Sequence, residues 1–129
     1  MSLFKKKILI VEDEVDIAEG IKARLELEKF KVIIATNGKE GVEKARATMP
    51  DLIILDIMMP VVNGYVTCEI LKTETKTKQI PILVLTALPH IKDADKAFEA
   101  GADDFLNKPF SNERLIKKVR KLLRLTRKE

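Results

Sequence analysis

A chain of 129 residues, 46% hydrophobic and 34% charged, has the size and balance of one soluble domain, and no apolar run approaches the roughly 18 residues that span a bilayer. The net charge of +4 sits largely in the closing stretch ERLIKKVRKLLRLTRKE, a helix whose last turns suit its own dipole. With no tryptophan and one tyrosine, that stretch lacks the aromatic interleaving of a nucleic-acid surface, so no direct nucleic-acid binding is expected.

A single cysteine, Cys68, cannot form an internal disulfide and is expected in a helix core, in a reducing compartment. The opening MSLFKKKILIVEDE has too short an apolar run and no small-residue cleavage site for a signal peptide, so the expected location is cytoplasmic. One domain is expected over residues 1–129, with 1–4 read as an expression-derived leader and 126–129 as the start of a linker or tail.

The first strand is expected at 8–11, followed by a helix with the stripe Ile17, Ile21 and Leu25. A second strand at 32–35 leads to a helix capped by Asn37 with Glu40, lined by Val42, Ala45 and Met49, and stopped by Pro50. The third strand, 52–55, is four aliphatic residues followed at once by Asp56. Gly64 precedes a helix expected to turn Val66, Ile70 and Leu71 inward. After a strand at 82–85, His90 beside Pro89 is expected to be exposed at a helix start; Ala94, Ala97 and Phe98 mark the fourth helix, and Gly101 supplies a left-handed end. A weaker strand at 102–106 precedes a helix opened by Ser111, with Leu115, Ile116, Val119, Leu122 and Leu123 as its buried stripe. Short aliphatic runs alternating with helical periods predict an α/β fold: a doubly wound (βα)₅ chain whose parallel sheet is covered on both faces. Ligands of such sheets gather beyond the carboxyl ends of the strands.

Those ends carry Glu12 and Asp13, Asp56, Thr86 and Ala87, and Lys108 with Pro109. Singly, each has a structural explanation, as a helix-start acid, a turn residue, a loop hydroxyl or a solvated cation. Together they place three acids, a hydroxyl and an amine on one edge. A buried carboxylate costs several kcal/mol unless paired, so Asp56 needs company. Clustered carboxylates suit a hard cation, and the expected metal is Mg²⁺. A carboxylate can attack phosphorus to form an aspartyl phosphate, with positioning and charge neutralisation supplied by a hydroxyl, an N–H and a lysine.

The words ILIVEDE, PDLIILDIMMP, NGY, VLTA and AGADDFLNKPF, in that order, resemble the motif set of bacterial two-component response-regulator receiver domains of the chemotaxis-regulator kind, from about residue 5 to about residue 125. The resemblance implies a flavodoxin-like five-stranded sheet of order 2-1-3-4-5. It implies that Asp56 accepts a phosphoryl group from a sensor histidine kinase. Glu12, Asp13, Asp56 and the backbone carbonyl of Met58 would hold Mg²⁺. Thr86 and the N–H of Ala87 would bind phosphoryl oxygens, and Lys108 would pair with the third. The Lys108-Pro109 bond would be cis, and Thr86 with Phe105 would form the switch, although tyrosine is commoner at the latter position. On this reading the chain is a phosphorylatable switch that catalyses only its own phosphorylation and dephosphorylation, and its readout is the surface of the fourth helix, fifth strand and fifth helix. Asp103, Asp104, Lys118 and Arg120 in these elements could pair across a phosphorylation-dependent homodimer. Met58 and Leu88, two residues after the acceptor and the threonine, are apolar and should leave the attacking water badly placed, so the phosphorylated state should be long-lived.

Three other readings are weaker. A haloacid-dehalogenase-type phosphatase wants a second aspartate where Met58 stands. A flavin or nucleotide site needs a phosphate loop where this chain has EDEVD. A receiver that has lost phosphorylation would lack one of the expected residues, and all are present. The output domain or target is not legible; the alternative to a stand-alone carrier is a receiver fragment of a longer DNA-binding or enzymatic regulator.

Overall fold

A computed structural model describes residues 5–57, 64–86 and 98–125. The elements are β1 (Lys7–Val11), α1 (Val15–Leu27), β2 (Lys31–Ala35), α2 (Gly38–Thr48), β3 (Leu52–Asp56), α3 (Gly64–Thr73), β4 (Ile82–Thr86), β5 (Asp104–Asn107) and α4 (Asn112–Leu122). Ala94, Ala97 and His90 lie outside the described residues, so the fifth helix of the expected series is α4 here. The strands are all parallel, in the order β2-β1-β3-β4-β5. This is the expected flavodoxin-like sheet.

Strand side chains alternate between faces, and here they divide into two core layers. Leu9, Val11, Ile53, Leu55, Ile82 and Val84 pack with Val42 and Ala45 of α2 and Cys68 and Leu71 of α3. Ile8, Ile10, Leu52, Ile54, Leu83, Leu85 and Leu106 pack with Ala18, Ile21 and Leu25 of α1 and Leu115, Ile116 and Val119 of α4. Burial on both faces explains why β3 and β4 read as unbroken aliphatic runs. Cys68 is buried in the first layer, and burial pushes its thiol up to about 11.

The helix starts follow local chemistry. Asn37 accepts from the Glu40 N–H at 2.8 Å, and Ser111 from the Arg114 N–H at 3.1 Å, satisfying donors that a helix start leaves orphaned. Gly101 has φ +100, as expected of a left-handed helix end.

Several expectations about inward residues need correction. Val66 is 45% and Ile70 37% exposed; α3 instead buries Gly64, Thr67, Cys68 and Leu71. The reason is Gly64, where an added Cβ would lie 2.3 Å from Ile57 Cα. That contact turns the glycine's side of the helix to the sheet and rotates Val66 and Ile70 outward. Met49 is a left-handed C-cap and 39% exposed rather than inward.

β5 begins at Asp104, two residues later than expected, because the Asp103 side chain is committed elsewhere. It accepts from the Ile82 N–H at 2.8 Å and from Lys72 Nζ at 3.1 Å. Lys72 also donates to the Ile80 carbonyl at 2.9 Å. At the same end of the sheet, the Lys7 N–H donates to Asp51 at 2.8 Å and Lys7 Nζ to the Thr48 carbonyl at 2.7 Å.

Candidate phosphoacceptor site

Alternation places the charges. Ile8 and Ile10, Leu52 and Ile54, and Leu106 belong to the layer under α1 and α4, so Glu12, Asp56 and Lys108, each two residues further on, arrive at the strand ends on that same face. Glu12 is fully buried and Asp56 only 3% exposed. Asp56 and Thr86 are the last residues of β3 and β4 rather than loop residues, which fixes their backbones in the ladder. The Glu12 N–H donates to the Ala35 carbonyl at 3.0 Å and the Ile57 N–H to the Leu85 carbonyl at 3.2 Å, so pairing extends just past the strands.

The three acids converge. Glu12, Asp13 and Asp56 each offer an oxygen within 4.8 Å of the others. Lys108 Nζ lies 3.2 Å from Asp56 Oδ2 and 3.5 Å from Glu12 Oε1. Burial pushes the Glu12 carboxyl up to about 7, with Asp56 adding to the rise; the Glu14 N–H, 3.1 Å from Oε2, and Lys108 oppose it. For Lys108, burial works against its charge, but Asp56 and Glu12 outweigh it and hold its pKa above the usual lysine value.

A carboxyl half-protonated near neutrality beside a second buried carboxylate is a site short of positive charge. Three hard oxygen donors at this spacing fit a small divalent cation, which would displace that proton. Met58 and Ala87 lie outside the described residues.

Thr86 is 2% exposed and stands on the opposite face from Asp56, since Ile82 and Val84 belong to the layer under α2 and α3. The Lys108 N–H donates to the Thr86 carbonyl at 2.7 Å, and the Lys108-Pro109 peptide bond is cis. Phe105 packs partly buried against the same layer as Thr86. Its ring meets Phe98 edge-on at 5.8 Å, with Lys118 Nζ 5.8 Å from its centroid. Gly64, read from sequence only as the residue before α3, matters to the geometry because its missing Cβ admits Ile57; Asn107, beside Lys108, was not singled out from sequence.

Residues 8–120 match the response regulator receiver domain family. The chain belongs to that family. This receiver domain, part of two-component signal transduction, is 42% identical over 120 residues to the DNA-binding dual master transcriptional regulator RpaA of Synechocystis sp., covering 93% of this chain and 50% of that protein. The chain thus spans about half the length of the curated relatives it matches. Among solved structures, it resembles chemotaxis protein CheY4 of Vibrio cholerae with TM-score 0.88 and 29% identity, covering 92% of this chain and 99% of that one. It also resembles the receiver domain of a Pseudomonas aeruginosa sensor histidine kinase that has a magnesium ion coordinated in its active-site cleft, with TM-score 0.86 and 28% identity, covering 93% and 98%. No helix among the described residues is long and apolar enough to cross a membrane.

Proposed function

We propose that Asp56 is the phosphoacceptor of this receiver domain and that the donor is a sensor histidine kinase. The observation that carries this is the buried Asp56 carboxylate held 3.2 Å from Lys108 beside Glu12 and Asp13. An Asp56 oxygen attacks phosphorus, the P–N bond to the kinase histidine breaks, and the imidazole nitrogen keeps the electron pair. Lys108 meets the charge of one phosphoryl oxygen, and the Thr86 hydroxyl and Ala87 N–H take the others. Glu12, Asp13, Asp56 and the Met58 carbonyl would hold Mg²⁺, which when bound supplies charge neutralisation for the transferring group. The chain catalyses its own phosphorylation and hydrolysis and turns over no external substrate. Incubation with acetyl phosphate and Mg²⁺ should add one phosphoryl group, detected by intact mass. Asp56→Asn should prevent it, and labelling that survives in that variant overturns the assignment.

The readout is a change around Thr86, Phe105 and α4, a two-state shift biased by local electrostatics. Asp103 pairs with Lys72, Asp104 with Lys118 at 3.1 Å, and Arg120 with Glu28 at 3.3 Å within one chain. A phosphorylation-dependent dimer through these residues therefore has to exchange those bonds between copies. Sedimentation with and without beryllofluoride tests it; an unchanged monomer removes the dimer and leaves Asp56 untouched.

A second reading adds an output. Relatives such as RpaA are DNA-binding regulators about twice as long as the matched region, which supports this domain acting as the receiver of a longer cytoplasmic DNA-binding regulator, with residues 1–129 one folding unit. Retention of cooperative unfolding by these residues alone tests the unit.

A further inference from the structure

Two buried side-chain atoms among the described residues have no hydrogen-bond partner, Thr67 Oγ1 and Asn107 Oδ1. The second bears on the switch. Asn107 ends β5 directly before Lys108, and a shielded acceptor without a donor is uncommon enough in native structures to require an explanation. Lys108 cannot supply the donor, because its ammonium is turned to Asp56 and Glu12 and its N–H to the Thr86 carbonyl.

The sheet register identifies the neighbour. Thr86 and Asn107 are partners in the β4–β5 ladder, and alternation puts both side chains on the face where Val84 and Phe105 pack. Neighbouring strands lie about 4.8 Å apart, a gap that a threonine hydroxyl and the longer asparagine side chain can close. Threonine χ1 moves between discrete staggered wells, so one rotamer step separates a hydroxyl aimed across β5 from one aimed past the strand end toward Asp56.

We propose that Asn107 is a positioning residue for Thr86. Its carbonyl oxygen, unfilled in this structure, accepts the Thr86 hydroxyl in one of that side chain's rotamers and gives it up when the hydroxyl turns to a phosphoryl oxygen. The inference rests on the reading of Asp56 as acceptor and Thr86 as phosphoryl contact. It makes the residue before the active-site lysine a set-point for the switch: an acceptor there holds Thr86 back, and an apolar residue releases it.

The test compares wild type with Asn107→Leu, close in shape but without an acceptor, and with Asn107→Ala in case leucine overpacks. Beryllofluoride affinity in Mg²⁺ should tighten about fivefold, the equilibrium worth of one neutral hydrogen bond. In metal-free protein, the Thr86 methyl carbon shift, which reports χ1, should move toward the phosphoryl-facing rotamer. In a Thr86→Val background, which keeps the shape and deletes the hydroxyl, Asn107→Leu should change nothing further. Binding that is unchanged or weaker in both Asn107 variants, or the same gain without the Thr86 hydroxyl, overturns the proposal while wild-type binding leaves the Asp56 reading standing. Wild type that fails to bind beryllofluoride overturns both.

Discussion

Lys108 ties the edge strand β5 to the central strand β3 by holding its ammonium 3.2 Å from Asp56, bridging past β4. It stands where positive charge is needed in the resting protein, and it competes with any cation drawn to the same oxygens. Lys108→Met should therefore leave Mg²⁺ binding intact or tighter by about 1 kcal/mol, the scale of a partly screened charge contact. The same variant should blunt the conformational response to beryllofluoride. Calorimetric titration reads the first and the chemical-shift response of Phe105 the second; loss of Mg²⁺ affinity would show that Lys108 organises the acids rather than competing for them.

The Glu12 carboxyl, raised to about 7 by burial and by Asp56, ties stability to pH. Its folded pKa exceeds the unfolded value, so the folded state binds more protons between the two. The contribution is fully present below about pH 4.5 and is lost as pH rises through about 7. Metal-free protein should lose up to about 3 kcal/mol of this contribution across that window, as read by urea unfolding in EDTA. Glu12→Gln should flatten the slope, and Mg²⁺ binding near pH 6 should release protons.

Gly64→Ala would place a methyl 2.3 Å from Ile57 Cα and 2.9 Å from the Asp56 carbonyl oxygen. Backbone cannot give way as a side-chain tip can. The expected cost is about 1–3 kcal/mol, as for other overpacked positions, together with slower phosphorylation by acetyl phosphate because the Asp56 backbone is pushed. Equal stability and rate in the variant would mean that α3 can lift off its contact freely.

Met58 and Leu88, outside the described residues, are expected to prolong the aspartyl phosphate proposed at Asp56. Neither side chain can orient water or take its proton. Met58→Asn and Leu88→Glu, singly and together, should speed loss of label by up to about 10²-fold, the range of a positioned general base. Decay that is unchanged or slower would assign the barrier to backbone and metal instead.

Most of the fold was legible because strands buried on both faces must be aliphatic, and five such runs alternated with helical periods. The convergence at the candidate site was legible because Glu12 and Asp56 each break an apolar run where the sheet ends and Lys108 follows the last strand at the same edge. What escaped was local. In α3, Val66, Ile70 and Leu71 fit an apolar stripe as well as Cys68 and Leu71 do, and only the Gly64 contact, a tertiary fact, chooses between the phases. The start of β5 was misplaced because Asp103 reads as one more residue of a weak strand until Lys72, 31 positions away, is known to be its partner. Asn107 carried no periodic signal, since a polar residue at a strand end is ordinary; its missing donor appears only in three dimensions.

The Lys72–Asp103 and Lys7–Asp51 contacts lie at the end of the sheet remote from Asp56, and they stitch helix ends and loop carbonyls to the starts of β1, β4 and β5. The two ends of the sheet are thus closed by different chemistry: carboxylate-to-backbone bonds with lysines on loop carbonyls at the far end, and at the near end one ammonium, Lys108, between two buried acids. A change of charge at Asp56 would therefore meet its first resistance in the Lys108 contact and in the ladder bonds that join β3, β4 and Lys108 beside it.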